Sequence, residues 1–386
     1  MKKPSSSPKA NLLRLTAVLL VCAGLFVSAL AAQPVSTAPA PSTQEINAFY
    51  FGNSLTGSTM PKWHEELGKS AGKNWPTWAW LGAGWQLQMH REELTAGKDI
   101  FSTASKGDLT IEDEVVKNAP FNAKNFYGKK WDVITLQLFG GHVSMETDSM
   151  YGKKLSYKKD VGDLGAATDI MKIYLSRNPA GKVFVYQVWP PMDPGKIPPA
   201  DQLPEWAKGK EKLRTAEFPN REAFDYPAKW LQKYEPTDKP WIGNVNRTQD
   251  FSYQVFKGLE ERFPELAKEN RLRMIPAGDL FLEIDKLAKE GGILGVKDVR
   301  DFYTDVQHLR FGLPRYTVAA LFYASLFGEK PDALDWKLFN DREKYGEDTY
   351  HDGGELLPIT EENVKVIHDL IWKILQEHPY SGMKAK

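Results

Sequence analysis

Three side chains of the kinds that carry out acyl transfer stand far apart in the chain. Ser54 lies in Phe51-Gly52-Asn53-Ser54-Leu55-Thr56, while Asp305 and His308 share the short stretch Asp305-Val306-Gln307-His308. A serine hydroxyl attacks a carbonyl when a base within hydrogen-bond reach takes its proton, and an imidazole base needs a carboxylate to fix its tautomer and stabilise its cation. Asp and His three residues apart on one loop can supply both. Each half also has a plainer meaning, because a Ser or Asp beside a strand or helix commonly serves as a turn or cap residue. Attack places negative charge on the carbonyl oxygen, and each preorganised donor aimed at it is worth about a hundred- to a thousandfold in rate. Gly82 or Gly84 can offer a backbone N–H where a side chain would block approach, and Gln137 can offer its amide. Their plainer readings are a turn glycine and a satisfied buried amide.

These residues act together only if the chain brings them to one edge. Residues 46–52 read as a buried strand that stops at Ser54, and similar apolar runs follow at 75–81, 131–137, 182–188 and 271–276. Helical spacing of apolar residues occupies 58–71, 85–94, 164–175, 252–266, 278–287 and 309–327 between and after them. A final amphipathic helix carries Val364, Ile367, Ile371, Ile374 and Leu375. Such alternation predicts βαβ units with right-handed crossovers and a parallel sheet. Ligands bind at the carboxyl edge of such sheets, where strand ends and helix N-termini converge. Ser54, Gly84, Gln137 and the Asp305–His308 pair all follow predicted strands, so all belong to that edge.

Two regions break the rhythm. Residues 97–128 are polar and weakly patterned, and predict only loop and short helix. The stretch 189–245 is an insertion rich in proline and aromatics, among them Trp189, Trp206, Phe224, Tyr226, Trp230, Tyr234 and Trp241. These rings either form a sugar-binding wall or pin a proline-rich loop to the core, and packing is the simpler reading.

Lys+Arg and Asp+Glu both total 50 in 386 residues, so charge gives no reason to propose nucleic acid or an anionic membrane surface as a partner. Lys2, Lys3, Lys9 and Arg14 precede an apolar run at 15–30 that closes in Ala29-Leu30-Ala31, the pattern of a cleavable signal peptide over 1–32. A linker over 33–44 follows, then one folded domain over 45–386. The only cysteine, Cys22, lies in the leader, which leaves the mature chain without a thiol or disulfide and suits a secreted or periplasmic protein with no membrane contact after cleavage. Asn246-Arg247-Thr248 has the form of a glycosylation sequon, meaningful only in a eukaryotic secretory route. His64, His90, His351, His368 and His378 show no metal-ligand spacing, so neither metal nor cofactor is predicted.

Gly52-Asn53-Ser54-Leu55-Thr56, Gly84-Trp85-Gln86-Leu87 with His90, the strand ending at Gln137, and Asp305-x-x-His308 before a long helix resemble the four ordered blocks of the SGNH hydrolases, the GDSL-type esterases. The resemblance runs from about residue 45 to 327. It implies a three-layer αβα sandwich on a flavodoxin-like parallel sheet of about five strands. It further implies Ser54 as nucleophile and first oxyanion donor, Gly84 as second donor, His308 as base and Asp305 as its orienter. The usual third donor is an Asn in a Gly-x-Asn-Asp block that this chain lacks, and Gln137 resembles the substitute found in one branch of the superfamily. Asn53 stands where the motif commonly has Asp. Asn53, His142 and Trp189 are the candidate substrate-binding residues around these blocks. The implied activity is hydrolysis of a small-molecule or polysaccharide ester, a carbohydrate acetyl ester among them. An acyltransferase on the same fold and a non-catalytic glycan-binding protein are the alternatives. The pattern specifies no oligomeric state.

Overall fold

Five continuous apolar runs become the five strands of one sheet: β1 (Ala48–Gly52), β2 (Thr77–Leu81), β3 (Val133–Gln137), β4 (Lys182–Gln187) and β5 (Leu272–Pro276). The computed structural model describes residues 44–96, 119–144, 162–236, 246–341 and 355–383, with the backbone of a two-residue hairpin at 149–150 and 153–154. The expected signal peptide, the linker up to residue 43, Cys22, Trp241, His351 and the weakly patterned 97–118 lie outside the described residues.

The strand order is β2-β1-β3-β4-β5 and every pair is parallel. This is the flavodoxin-like order. The chain moves from β1 to one side for β2 and to the other side for β3, so the carboxyl ends of β1 and β3 flank the topological switch point where such sheets open a crevice. Ser54 follows β1 and Gln137 ends β3, one residue beyond the Phe51–Leu136 pair.

Side chains alternate between two helical layers. Ala48 and Tyr50 of β1 join Phe184, Tyr186 and Ile275 in one apolar cluster with α2 (His64–Ser70), α9 (Ala277–Lys289), α10 (Leu313–Phe327) and α11 (Glu361–Glu377). Phe49 and Phe51 join Ile134, Leu136, Val183 and Val185 in a second cluster with α3 (Leu87–Thr95), α4 (Phe121–Gly128), α5 (Asp163–Arg177) and α7 (Gln249–Arg262). A strand buried on both faces carries apolar residues at nearly every position, which is why the inner strands β1, β3 and β4 read as nearly unbroken runs, whereas β2 at the edge is only partly buried. The result is a three-layer αβα sandwich.

Backbone chemistry corrects three helix boundaries. The helix expected over 58–71 is divided: α1 (Ser54–Gly57) comes first, Met60 then takes a left-handed conformation at φ 54°, and a 3₁₀ turn at Pro61–Trp63 leads into α2. The helix expected over 252–266 breaks at Phe263, since Pro264 disfavours the helical conformation in the residue before it; α8 (Pro264–Lys268) continues beyond. The long helix starts at Leu313 rather than 309, because Gly312 sits at φ 88° and Pro314 opens the first turn.

The described part of the insertion contains short 3₁₀ turns and α6 (Tyr226–Trp230). Trp189, Phe224, Tyr226 and Trp230 are buried in the first cluster, as pinning a loop to the core requires, whereas Trp206 remains 47% exposed.

Candidate active site

Gly52 closes β1 because nothing larger fits. A Cβ there would lie 2.1 Å from Thr56 Oγ1 and 2.8 Å from Gln137 Oε1. Asn53 then caps α1: its Oδ1 accepts from Leu55 N at 2.9 Å, and its Nδ2 donates to Trp85 O at 2.9 Å. Ser54 is the first residue of the helix and is 7% exposed. His90 of α3 donates from Nε2 to Gly52 O at 2.9 Å, which ties the end of β1 to the helix behind it. Burial pushes that imidazole down to about 4, against the opposing effect of the Gly52 bond.

On the facing loop, His308 Nε2 lies 2.8 Å from Ser54 Oγ, across 254 residues of sequence, and its Nδ1 lies 2.7 Å from Asp305 Oδ2. A carboxylate oxygen only accepts, so the proton belongs on Nδ1 and leaves Nε2 as the acceptor facing the hydroxyl. Asp305 Oδ1 meanwhile accepts from Gln307 N and His308 N, both at 2.8 Å. Cap and imidazole partner are thus the same carboxylate. Burial alone would raise the Asp305 carboxyl, but the hydrogen bond and charge of His308, with the two backbone N–H groups, outweigh it and hold the group at about 2.

The insertion braces this loop from behind. Trp189 Nε1 donates to Gln307 O at 2.7 Å, Met192 N to Val306 O at 2.7 Å, and Val306 N to Ala216 O at 3.1 Å. Arg247 Nη2 donates to Gln307 Oε1 at 2.9 Å.

The remaining expected residues fall as follows. Gly84 adopts φ 67° in a turn closed by Trp85 N to Gly82 O at 3.1 Å, and a Cβ on Gly82 would lie 2.0 Å from the Trp85 ring. Gln137 turns its carboxamide oxygen to the Ser54 turn: Oε1 accepts from Asn53 N at 3.1 Å, Thr56 N at 3.0 Å and Thr56 Oγ1 at 2.7 Å. Its Nε2 is buried with no acceptor among the described residues.

The three expected substrate contacts are buried side chains. Trp189 has no exposed surface and stacks on Phe281 at 5.0 Å, so it presents nothing to a substrate and acts as a brace. Asn53 is equally enclosed, with both ends of its amide engaged in holding turns. His142 is buried in the loop after β3, where its backbone oxygen accepts from Asp163 N at 2.7 Å. Sequence reading passed over Thr56, Gln307 and Arg247. Only Thr56, two residues after Ser54 in the same short motif, carried a positional signal.

No family model and no curated protein matches this sequence. Among solved structures, the chain is similar to a DUF4886 family protein from Bacteroides uniformis ATCC 8492, with TM-score 0.43 and 12% identity over 86% of this chain and 96% of that one. It is also similar to a gut microbial diltiazem-metabolizing enzyme, with TM-score 0.33 and 11% identity over 73% of this chain and 47% of the other. Likeness at this level carries no statement about the chemistry at Ser54.

Proposed function

We propose that the chain is a serine esterase of the SGNH type, acting on a carboxylic ester through an acyl-enzyme. Ser54 Oγ attacks the carbonyl carbon as its proton passes to His308 Nε2. The carbonyl oxygen takes the resulting charge and meets Ser54 N–H, Gly84 N–H and Gln137 Nε2. His308 then gives its proton to the departing alcohol, and a water activated by the same imidazole releases the acid. Asp305 stays ionised throughout and stabilises the imidazolium.

The observation that carries the reading is the continuous chain from Ser54 Oγ through His308 to Asp305, with contacts of 2.8 and 2.7 Å. A carbohydrate acetyl ester is the substrate we favour: Trp206 of the proline-rich insertion is 47% exposed, with its ring stacked on Phe218 at 5.2 Å and Lys210 Nζ 4.7 Å from its centre, and a sugar ring would take the place of that lysine. Hydrolysis of 4-nitrophenyl acetate by wild type and Ser54→Ala tests the chemistry. We expect kcat to fall at least about a thousandfold. Equal turnover by the two proteins would leave only a binding role.

A further inference from the structure

Four backbone N–H groups, from Asn53 to Thr56, surround the nucleophile, and the first turn of a helix supplies none of them with an acceptor. Two side-chain oxygens take three of the four. Gln137 Oε1 accepts from Asn53 N at 3.1 Å and Thr56 N at 3.0 Å, and Asn53 Oδ1 accepts from Leu55 N at 2.9 Å. Ser54 N–H alone keeps no acceptor among the described residues, and Gln137 Nε2 is the second unmatched donor at the same spot. Backbone N–H groups only donate, so the end of the Gln137 carboxamide that faces them must be oxygen. The Thr56 hydroxyl adds the shortest of the three bonds to that oxygen, 2.7 Å, from a fully buried position.

We propose that Thr56 and Gln137 form a latch that positions the nucleophile. Through this latch one carboxamide holds the Ser54 turn with its oxygen and keeps its nitrogen free for the reacting oxygen. The donors are thereby sorted: the N–H groups of Asn53, Leu55 and Thr56 are engaged, while Ser54 N–H and Gln137 Nε2 have no acceptor among the described residues. Gly52 belongs to the same device, since a side chain there would occupy the space of Thr56 Oγ1 and Gln137 Oε1. The inference rests on the esterase reading and deepens it by adding Thr56 as a positioning residue.

The test is a double-mutant cycle on 4-nitrophenyl acetate with Thr56→Val, Thr56→Ser, Gln137→Ala and the Val/Ala pair, recording kcat, KM and Tm for each. Valine keeps the shape and loses the hydroxyl; serine does the opposite. A latch predicts a roughly tenfold loss of kcat in Thr56→Val with KM within about twofold, and near-wild-type kcat in Thr56→Ser. Gln137→Ala should lose about a hundredfold, as for one oxyanion donor, and adding Thr56→Val should cost little more. Greater loss in Thr56→Ser than in Thr56→Val would reduce Thr56 to a packing residue and overturn the latch. So would losses that multiply in the pair, or wild-type kcat in Thr56→Val. If Gln137→Ala fails to fold, the order of the two Thr56 variants decides alone. Failure of the esterase reading is separately visible, as turnover that survives Ser54→Ala.

Discussion

Asp305 performs two tasks with two oxygens, and the division gives its removal a particular signature. Oδ1 closes its own loop on Gln307 N and His308 N, while Oδ2 faces the imidazole. Asn at 305 would keep an oxygen for the loop but set an NH₂ against Nδ1. The proton would then move to Nε2, where it faces Ser54 and abolishes the base. Asp305→Asn is therefore expected to lower kcat by about 10³- to 10⁴-fold while Tm changes little. A Tm loss as large as that of Asp305→Ala would mean that the cap did not survive. With its carboxyl held at about 2, Asp305 is ionised throughout the working range. Its folded-state value is depressed, so the stability it contributes is present above pH ~4 and fades as pH falls toward 2. Loss of activity at mildly acid pH would accordingly not come from this group. Ser54, Asp305 and His308 were legible because their types and their places after strands survive in a one-dimensional reading. The direction of the Gln137 carboxamide was not, since it depends on which backbone donors happen to face it.

At the scale of elements, the loop that carries Asp305 and His308 owes its shape to a segment more than a hundred residues earlier. Trp189 leaves β4, stacks on Phe281 of α9 and donates to Gln307 O. The aromatic richness of 189–245 is plain in the sequence and packing is its simpler reading, but composition does not say which ring is enclosed, and it is the structure that shows Trp189 wholly buried. The inner strands were the most legible elements because burial on both faces makes them almost continuously apolar. Helix ends were less so, because Met60, Gly312 and the Phe263-Pro264 step act through dihedral angles. Trp189→Phe separates the two functions of the brace by keeping a ring over Phe281 and deleting the bond to Gln307 O. The expected outcome is a loss of about 1 kcal/mol in stability and a several-fold lower kcat, with KM unchanged. An unaltered kcat would show that the bonds from Met192 N and to Ala216 O hold the loop without help.

For the molecule as a whole, the formal charge balance implies no strong self-repulsion at neutral pH, and above the carboxylate range acid sensitivity comes from groups such as histidines that folding removes from water. Two histidines beside the site are such groups. His64 stacks on Trp75 at 4.1 Å, donates from Nε2 to Thr59 O at 2.7 Å, and accepts the Tyr50 hydroxyl at Nδ1 at 3.0 Å. That pattern exists only for a neutral ring. Burial pushes His64 down to about 3 and His90 to about 4, in each case against a smaller upward effect of the backbone bond. In the unfolded chain both take a proton near pH 6.5. Their contribution to stability is therefore complete above that value and is lost as pH falls toward 3 to 4. Around pH 5 the unfolded state binds more protons than the folded one at both rings, so stability falls with pH by roughly 3 kcal/mol per pH unit at most from this pair. Their positions give the loss a local meaning, since His90 anchors the end of β1 at Gly52 and His64 anchors the corner after α1 at Thr59. His90→Gln keeps an N–H within reach of Gly52 O but cannot titrate. Urea unfolding at pH 5.5 and 4.5 should show a slope lower by roughly 1 kcal/mol per pH unit in the variant than in wild type. Equal slopes would mean that His90 is already charged in the folded protein, and Gly52 would then be held by an imidazolium.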